Sequence, residues 1–164
     1  KQNVSIGIQY YGYDIDIVPA KKTNQSSYMK DWKSYYDHWL WSNKKQHRTK
    51  TNIQKHIDIV RDNSLQNYVM LTKVWRNNHG LDFPSIYIEL MVNEALSKKR
   101  SYDLAEDFYY ILSYIMDNIE NKKIVDPSNS QNIISDSLST QEKASIKKAV
   151  VDSFAKQYWS QVIW

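Results

Sequence analysis

Asp14 and Asp16 are the residues of this chain whose type and spacing most directly suggest chemistry. They lie at i and i+2 in the apolar, β-branched run Tyr-Asp-Ile-Asp-Ile-Val-Pro-Ala at residues 13–20. On a β-strand this spacing places both side chains on one face. Two like charges held together favour a nearby cation, and carboxylate oxygens suit Mg²⁺. The spacing therefore admits a magnesium site, and equally an edge strand whose polar face meets water.

The hydrophobic pattern predicts a β-hairpin for the segment that carries these aspartates. Residues 4, 6, 8 and 10 are apolar and alternate with polar or small residues, which is the period of a strand. Gly12 turns the chain into a second strand at residues 13–18, which Pro19 ends. Residues 21–27 are expected to form a polar loop, and residues 28–41 a short hairpin.

From about Gln46 onward the apolar residues recur with the period of α-helices, and five helices are predicted. The first helix is predicted from an apolar run that begins at Ile53. The second to fourth are predicted from N-caps at Asn63 or Ser64, at Ser85 and at Ser101, and the fifth from a capping box at Ser139 and Glu142. The residues expected to face inward are Ile53, Ile57, Val60, Leu65, Tyr68, Val69, Thr72, Trp75, Leu104, Phe108, Ile111, Leu112, Ile115, Ile119, Ile146, Ala149, Val150, Ser153 and Phe154. We therefore predict an α+β fold, with a short antiparallel β region at residues 1–42 followed by a five-helix bundle at residues 43–164.

Composition bounds the class of protein. The formal charge of +4 suits a polyanion such as a nucleoside triphosphate or RNA, without demanding one. The absence of cysteine excludes disulfides and thiolate metal sites. No stretch approaches the roughly 20 apolar residues of a membrane span, so we expect no membrane partner and a cytoplasmic location. The clustered aromatic residues either stack on bases or form a half-covered core; they are Trp32, Tyr35, Tyr36, Trp39 and Trp41.

Five sequence blocks, in order along the chain, resemble the oligoadenylate-synthase-like nucleotidyltransferases. This family includes the bacterial cyclic-oligonucleotide synthases (CD-NTases). The blocks are the Asp-Ile-Val-Pro-Ala strand at 16–20, the Trp-x-x-Asn turn ending in His at 41–47, the Leu-x-Lys-x-Trp helix at 71–76, the Pro-Ser-x-x-x-Glu-Leu helix start at 83–90, and the Asp-Pro-x-Asn loop at 125–132. Two positions depart from the family pattern: Lys44 stands where Pro is usual, and Met70 stands where Arg is frequent.

The resemblance implies that the β region is a remnant of a nucleotidyltransferase sheet, and it implies roles for particular residues. Asp16 corresponds to the third metal-binding carboxylate, which contacts the Mg²⁺ ion that activates the acceptor hydroxyl. Asp14 shares its face as a supporting or solvated group. Lys73, with Arg76 at i+3, corresponds to a clamp on the phosphates of the nucleoside triphosphate, although the pair also fits a solvated basic helix face. Ser85 is a helix cap that can also reach the nucleotide.

The family's Gly-Ser phosphate turn and its Asp-x-Asp pair do not occur before Asp14 in this sequence. We therefore expect the C-terminal portion of the enzyme, inactive by itself, with the missing N-terminal half of the catalytic domain as its partner. Exposed sheet edges make self-association plausible. In a competing alignment, Asp14 and Asp16 themselves form the Asp-x-Asp pair.

Two other classes of function compete with the nucleotidyltransferase. One is a non-catalytic helical module that binds nucleotide, RNA or a partner protein. The other is an unrelated helical regulator that matches the blocks by chance. Only the enzyme hypothesis requires Asp16 and the pair Lys73 and Arg76 to bind the same nucleotide.

Overall fold

A computed structural model describes residues 5–43 and 46–163, apart from the side chain of Ser42. The described residues divide into two compact units. One comprises the residues up to 57 together with 126–132, and the other comprises 58–125 together with the residues from 133 onward. Lys44, where the Trp-x-x-Asn turn departs from the family pattern, and Val4, the first residue of the predicted alternation, lie outside the described residues.

The first unit is built from antiparallel strands. Strands β1 (Ile6–Tyr10) and β2 (Tyr13–Ile17) form the predicted hairpin, and Gly12 adopts a φ of +80° at its turn. Strands β3 (Ala20–Lys30), β4 (Lys33–Ser42) and β5 (His47–Thr51) form a three-stranded sheet in the order β3-β4-β5. Residues 21–27 are thus strand, and the predicted loop there is wrong. The helical pattern predicted from about Gln46 starts only at Ile53.

A buried polar network stabilises this sheet from within. The Asp37 carboxylate accepts hydrogen bonds from the backbone N–H and the hydroxyl of Ser27, and from Asn52 Nδ2 at 2.9 Å. Lys50 Nζ lies 3.4 Å from the second carboxylate oxygen. Burial raises the pKa of Asp37, but these hydrogen bonds outweigh it and hold the pKa below its usual value. Asp37 is therefore ionised and internally neutralised.

The second unit is helical. Its helices are α2 (Gln66–Asn78), α3 (Ser85–Lys98), α4 (Leu104–Asn118), α5 (Thr140–Phe154) and the short α6 (Trp159–Ile163), while α1 (Ile53–Asp62) precedes them. The five predicted helices are present, and α6 was not predicted. The Asp-Pro-x-Asn loop predicted at residues 125–132 instead lies in two short paired strands, β6 (Val125–Asp126) and β7 (Asn129–Ile133), and a 3₁₀ turn (Ile134–Ser137) follows. The α+β fold class is confirmed.

The core of the helical unit follows the predicted stripes on α2, α4 and α5. Trp75, Tyr87, Phe83 and Phe108 are fully buried, and Trp75 Nε1 donates to Ser153 Oγ at 2.9 Å, which ties α2 to α5. The inward positions predicted for Leu104 and Phe154 are wrong, since their exposed fractions are 47% and 38%. Within the described residues, no helix is long and apolar enough to cross a membrane.

Candidate functional site

The β1–β2 hairpin places the two aspartates as their spacing predicts. Gln9 lies opposite Asp14, and Gly7 lies opposite Asp16, so all four positions share one face. Gln9 Nε2 donates to Asp14 Oδ1 at 3.1 Å. Because Gly7 has no side chain, Asp16 borders an open cleft of about 450 Å³. The face is solvent-accessible and carries only polar groups and glycine.

The oxygen atoms on this face are of the type that binds a hard cation, but they are too few to hold one. Two carboxylates and a carboxamide offer the oxygens that Mg²⁺ prefers. Among the described residues, no group of three or more acidic or histidine side chains is placed to hold a metal. Asp14 and Asp16 can therefore contribute to a magnesium site that further oxygen ligands complete.

Lys73 and Glu89 form an ion pair between α2 and α3. Lys73 Nζ lies 2.7 Å from Glu89 Oε1, and both side chains are partly buried. The pair joins two of the five family-like blocks, the Leu-x-Lys-x-Trp helix and the Pro-Ser-x-x-x-Glu-Leu helix start. The ion pair therefore links helices α2 and α3 through their side chains.

Arg76 lies on the same face of α2 and reaches the start of α3. Its guanidinium donates to the Phe83 carbonyl at 2.7 Å and approaches Ser85 Oγ at 3.5 Å. Burial lowers the pKa of Arg76 from its usual value, and the charge of Asp82 opposes that shift. Ser85 itself is exposed and is the first residue of α3, whereas Pro84 occupies the cap position. The predicted Ser85 cap is therefore wrong, and its hydroxyl is not used by the helix end.

These contacts bring Lys73, Arg76, Ser85 and Glu89 together, and we call this group the α2–α3 cluster. A point-charge ammonium beside a planar guanidinium and a hydroxyl is suited to bind phosphate oxygens. Met70, one turn earlier on α2, is 62% exposed and adds no charge. The aspartates belong to the first unit and the α2–α3 cluster to the second.

Sequence reasoning missed a buried site in the Asp-Pro-x-Asn loop. Asp126 Oδ1 lies 2.8 Å from His56 Nε2 and accepts from Ser128 Oγ at 2.7 Å, while Ser128 Oγ also accepts from the Asn52 N–H at 3.0 Å. Burial raises the pKa of Asp126, but the bonds from His56 and Ser128 outweigh it, so the pKa lies below its usual value. In the sequence, this site was indicated only by the Asp-Pro-x-Asn block at residues 125–132.

The residue types of this site match a catalytic triad, but its geometry does not. In a nucleophilic triad the histidine lies between the serine and the carboxylate and contacts them through different ring nitrogens. Here Ser128 donates directly to Asp126, and the same His56 nitrogen lies 3.3 Å from Ser128 Oγ. Lys55 Nζ also donates to the Pro127 carbonyl. The network therefore holds the loop against α1 residues of its own unit.

Comparison with known proteins identifies solved structures whose fold is similar to that of this chain. No protein-family model matches the chain, and no curated protein matches it. The structure is similar to E. coli MS115-1 CdnC solved with ATP, with 20% identity, a TM-score of 0.67, and coverage of 98% of this chain and 61% of CdnC. It is also similar to CdnC in a CdnC:HORMA-deltaN complex, with 19% identity, a TM-score of 0.69, and coverage of 98% and 60%.

These similarities confirm the resemblance predicted from the five blocks. At such identities they establish the fold, which is CD-NTase-like, and leave the chemistry to the residues of the site. The chain spans about three-fifths of the length of the CdnC chains that it matches.

Proposed function

We propose that this chain provides the third-carboxylate strand and the phosphate-binding helices of a Mg²⁺-dependent nucleotidyltransferase. The enzyme would make oligonucleotide or cyclic-nucleotide products from nucleoside triphosphates. One observation carries the proposal: Lys73, Arg76 and Ser85, which the family resemblance assigns to the nucleotide, lie together in the α2–α3 cluster. The CD-NTase-like fold, shared with a protein that was solved with ATP, supports it.

Each residue has a defined task in this proposal. Asp16 supplies a carboxylate oxygen to the ion near the acceptor hydroxyl, and Asp14 supports it. Magnesium at this place would lower the pKa of the attacking hydroxyl and neutralise charge on the phosphates. Lys73 and Arg76 bind the triphosphate through charged hydrogen bonds, and the exposed Ser85 hydroxyl donates one more. Lys73 exchanges its contact with Glu89 for one with phosphate, or shares it.

We further propose that the Gly-Ser turn and the Asp-x-Asp pair come from a segment additional to these 164 residues. Two carboxylates are too few to hold Mg²⁺ firmly. The 164-residue chain by itself should therefore not turn over nucleoside triphosphates. Turnover by the purified chain, measured as pyrophosphate release, would contradict this part of the proposal.

A HORMA-type protein is a candidate partner, because CdnC is found in such a complex.

The phosphate role is tested by changing Lys73 to Ala in the complete protein. We expect ATP binding to weaken by about 1–3 kcal/mol, the cost of a lost charged hydrogen bond. Isothermal titration of ATP with Mg²⁺ measures the effect. Lys147→Ala is the matched control, because Lys147 also pairs with a glutamate, Glu120, at 2.6 Å but lies outside the α2–α3 cluster. Equal ATP affinity for Lys73→Ala and Lys147→Ala would contradict the assignment.

A non-catalytic binding module is the second candidate, and one observation favours it. Lys73 and Arg76 both have partners within the chain, Glu89 and the Phe83 carbonyl, so both have a structural role without any nucleotide. On this alternative, Lys73→Ala lowers the melting temperature and leaves the ATP affinity unchanged.

A further inference from the structure

Two tryptophans on β4 form a repeated pattern with two cations on β5. In the antiparallel register, Trp39 lies opposite Lys50 and Trp41 lies opposite Arg48. Residues directly opposite each other project to the same side of a sheet, as do residues at i and i+2 of one strand. All four side chains therefore belong to one surface, which we call the tryptophan face. Trp39 and Trp41 keep 40% and 46% of their surface exposed, so their rings are not needed to fill a core.

The charge around these rings is positive. On the other side of Trp39, strand β3 places Lys21 directly opposite. Asp37 is the single acidic residue in strands β3 to β5. It is 1% exposed; its Oδ1 accepts hydrogen bonds from Ser27 and Asn52, and its Oδ2 lies 3.4 Å from Lys50 Nζ. An approaching anion therefore meets cations beside the rings and no exposed carboxylate of this sheet.

A cleft of about 440 Å³ adjoins the tryptophan face where β5 meets β7. Its lining includes Trp39, Arg48 and Lys50 of the sheet, and Asn129 and Gln131 of β7. Asn129 Nδ2 donates to the Lys50 carbonyl at 2.9 Å, which links β7 to β5 beside the cleft. The Asn129 carboxamide is used within the chain, since its Oδ1 accepts from the Gln131 N–H at 3.2 Å. The Gln131 carboxamide can donate and accept hydrogen bonds, as the edges of nucleobases require.

From this arrangement we propose that the tryptophan face binds single-stranded nucleic acid. Bases stack on Trp39 and Trp41, and phosphates bind Arg48 and Lys21, because Lys50 is paired with Asp37. Aromatic rings beside a cationic groove are the recurring design of proteins that bind single strands. This site lies on residues that the proposed nucleotidyltransfer does not use.

The spacing of the rings selects the kind of nucleic acid. Residues at i and i+2 of a strand are about 6.6–6.8 Å apart, roughly twice the 3.4 Å rise between stacked bases. Two rings at that distance suit consecutive unstacked bases of an extended single strand. A duplex keeps its bases stacked and presents mainly phosphates. A mononucleotide would use only one of the two tryptophan–cation pairs.

Fluorescence anisotropy tests the proposal with the full chain, a fluorescein-labelled oligouridylate of twelve nucleotides, and EDTA to exclude magnesium. We expect saturable binding, with the affinity falling about five- to 150-fold for each of Trp39→Ala and Trp41→Ala. Trp41→Phe should retain most of the affinity, because a smaller ring still stacks. The matched control is Trp32→Ala, since Trp32 is 98% exposed at the β3–β4 turn; it should bind like the unchanged chain.

The salt dependence of the affinity distinguishes the contribution of the cationic side chains from that of the tryptophan rings. The slope of log affinity against log salt is about −0.7 per phosphate neutralised on a single strand. Arg48→Ala should therefore flatten the slope by about 0.7, whereas Lys33→Ala, at the far end of β4, should not. Melting curves by circular dichroism confirm that each variant is folded.

Three results would overturn the proposal. The first is no saturation of the oligouridylate at protein concentrations of about 100 μM, the weak end of non-specific nucleic-acid affinity. The second is equal affinity for a duplex of the same length, or equally effective competition by ATP at the same nucleotide concentration. The third is the same affinity for Trp39→Ala, Trp41→Ala and Trp32→Ala; binding of a protein partner through these rings would then be the alternative explanation.

Discussion

Two buried tyrosines, Tyr68 and Tyr87, differ in whether the side-chain hydroxyl has a hydrogen-bond partner. Tyr68 donates to Asp107 Oδ2 at 2.9 Å, and the ring is 6% exposed. Tyr87 is fully buried, and its hydroxyl has no hydrogen-bond partner in the part of the chain that the structure describes. Burial raises the pKa of Tyr87 to about 12. The same substitution at the two positions therefore removes a hydrogen bond in one case and an unsatisfied polar group in the other.

We expect opposite effects from replacing each tyrosine with phenylalanine. Tyr68→Phe should lower the free energy of unfolding by about 1–3 kcal/mol, because Asp107 loses a donor to its buried charge. Tyr87→Phe should leave stability unchanged or raise it by about 1 kcal/mol, because a desolvated hydroxyl is removed. Urea denaturation measures both. Equal destabilisation by the two variants would show that Tyr87 has a partner in solution.

Asp107 also makes stability depend on pH. Burial raises its pKa, but hydrogen bonds from Ser101, Tyr68 and Tyr102 outweigh burial, and the folded pKa lies below the usual 3.8. A carboxyl with a lowered folded pKa stabilises the fold fully at pH values above its unfolded pKa. That contribution is lost as the pH falls through the folded value. Tyr68→Phe should therefore lose less stability than the unchanged chain when both are acidified below about pH 4, the ordinary range of an aspartate.

At the scale of single elements, helix starts show which local signals are sufficient. The predicted Ser139 capping box is confirmed, since Ser139 Oγ accepts from the Glu142 N–H at 3.2 Å and Glu142 Oε2 accepts from the Ser139 N–H at 2.6 Å. The predicted caps at Ser101 and at Asn63 or Ser64 are wrong. Asp103 caps α4 through the Glu106 N–H, and Leu65 precedes α2 without a side-chain cap. A reciprocal pair specifies a helix start more firmly than a lone serine or asparagine does.

We expect Ser139→Ala to destabilise the helical unit by about 1 kcal/mol, the usual cost of losing an N-cap. Ser145→Ala is the matched control, because Ser145 is exposed inside α5, where alanine is the better helix former. Its stability should stay the same or rise slightly. Thermal unfolding followed at 222 nm compares the two variants, and an equal loss for both would contradict a capping role.

Strand β3 and helix α1 show where local patterns mislead. Residues 20–30 are mostly polar and lack a hydrophobic period, yet they pair with β4. In α1, Ile53 and Ile57 were expected inward but are 47% and 42% exposed, while Asp58 is buried. The face of α1 that is buried follows from its partners, including the His56–Asp126 contact, rather than from its own hydrophobicity.

At the scale of the whole molecule, the β1–β2 hairpin exposes an apolar face. Ile6 lies opposite Ile17 and Ile8 lies opposite Ile15, and these four side chains are 39–60% exposed. A two-stranded hairpin is only marginally stable in water by itself, and a contiguous apolar face favours association. We expect this face to be covered by another segment of the proposed nucleotidyltransferase or, in its absence, by a second copy of the chain.

Sedimentation velocity tests this expectation. The 164-residue chain should self-associate with rising concentration, and Ile8→Lys should shift it toward the monomer because a charge enters the apolar face. Gln9→Lys is the matched control, since residue 9 is adjacent in sequence but projects to the aspartate face. A monomeric unchanged chain, or the same shift for both lysine variants, would rule out association through the isoleucines.

The candidate site was predictable to the extent that its parts are local. Asp14 and Asp16 share a face because strand alternation has a period of two, and Lys73 and Arg76 share one because a helix repeats every 3.6 residues. That Arg76 would reach Ser85, and that Glu89 would pair with Lys73, depends on how α2 packs against α3. The hydrophobic periodicity of a single helix does not predict how α2 packs against α3, although the sequence blocks on both helices were recognised.

Spacing and periodicity alone therefore determined the α+β class, the first hairpin, the stripes of α2, α4 and α5, and the Ser139 cap, because each depends on residues within a few positions of one another. The pairing of β3, the orientation of α1, the network around Asp126 and the surface formed by Trp39 and Trp41 with β5 were decided by tertiary structure. In each of these, the groups that satisfy or expose a side chain come from other elements, so a local pattern cannot specify them.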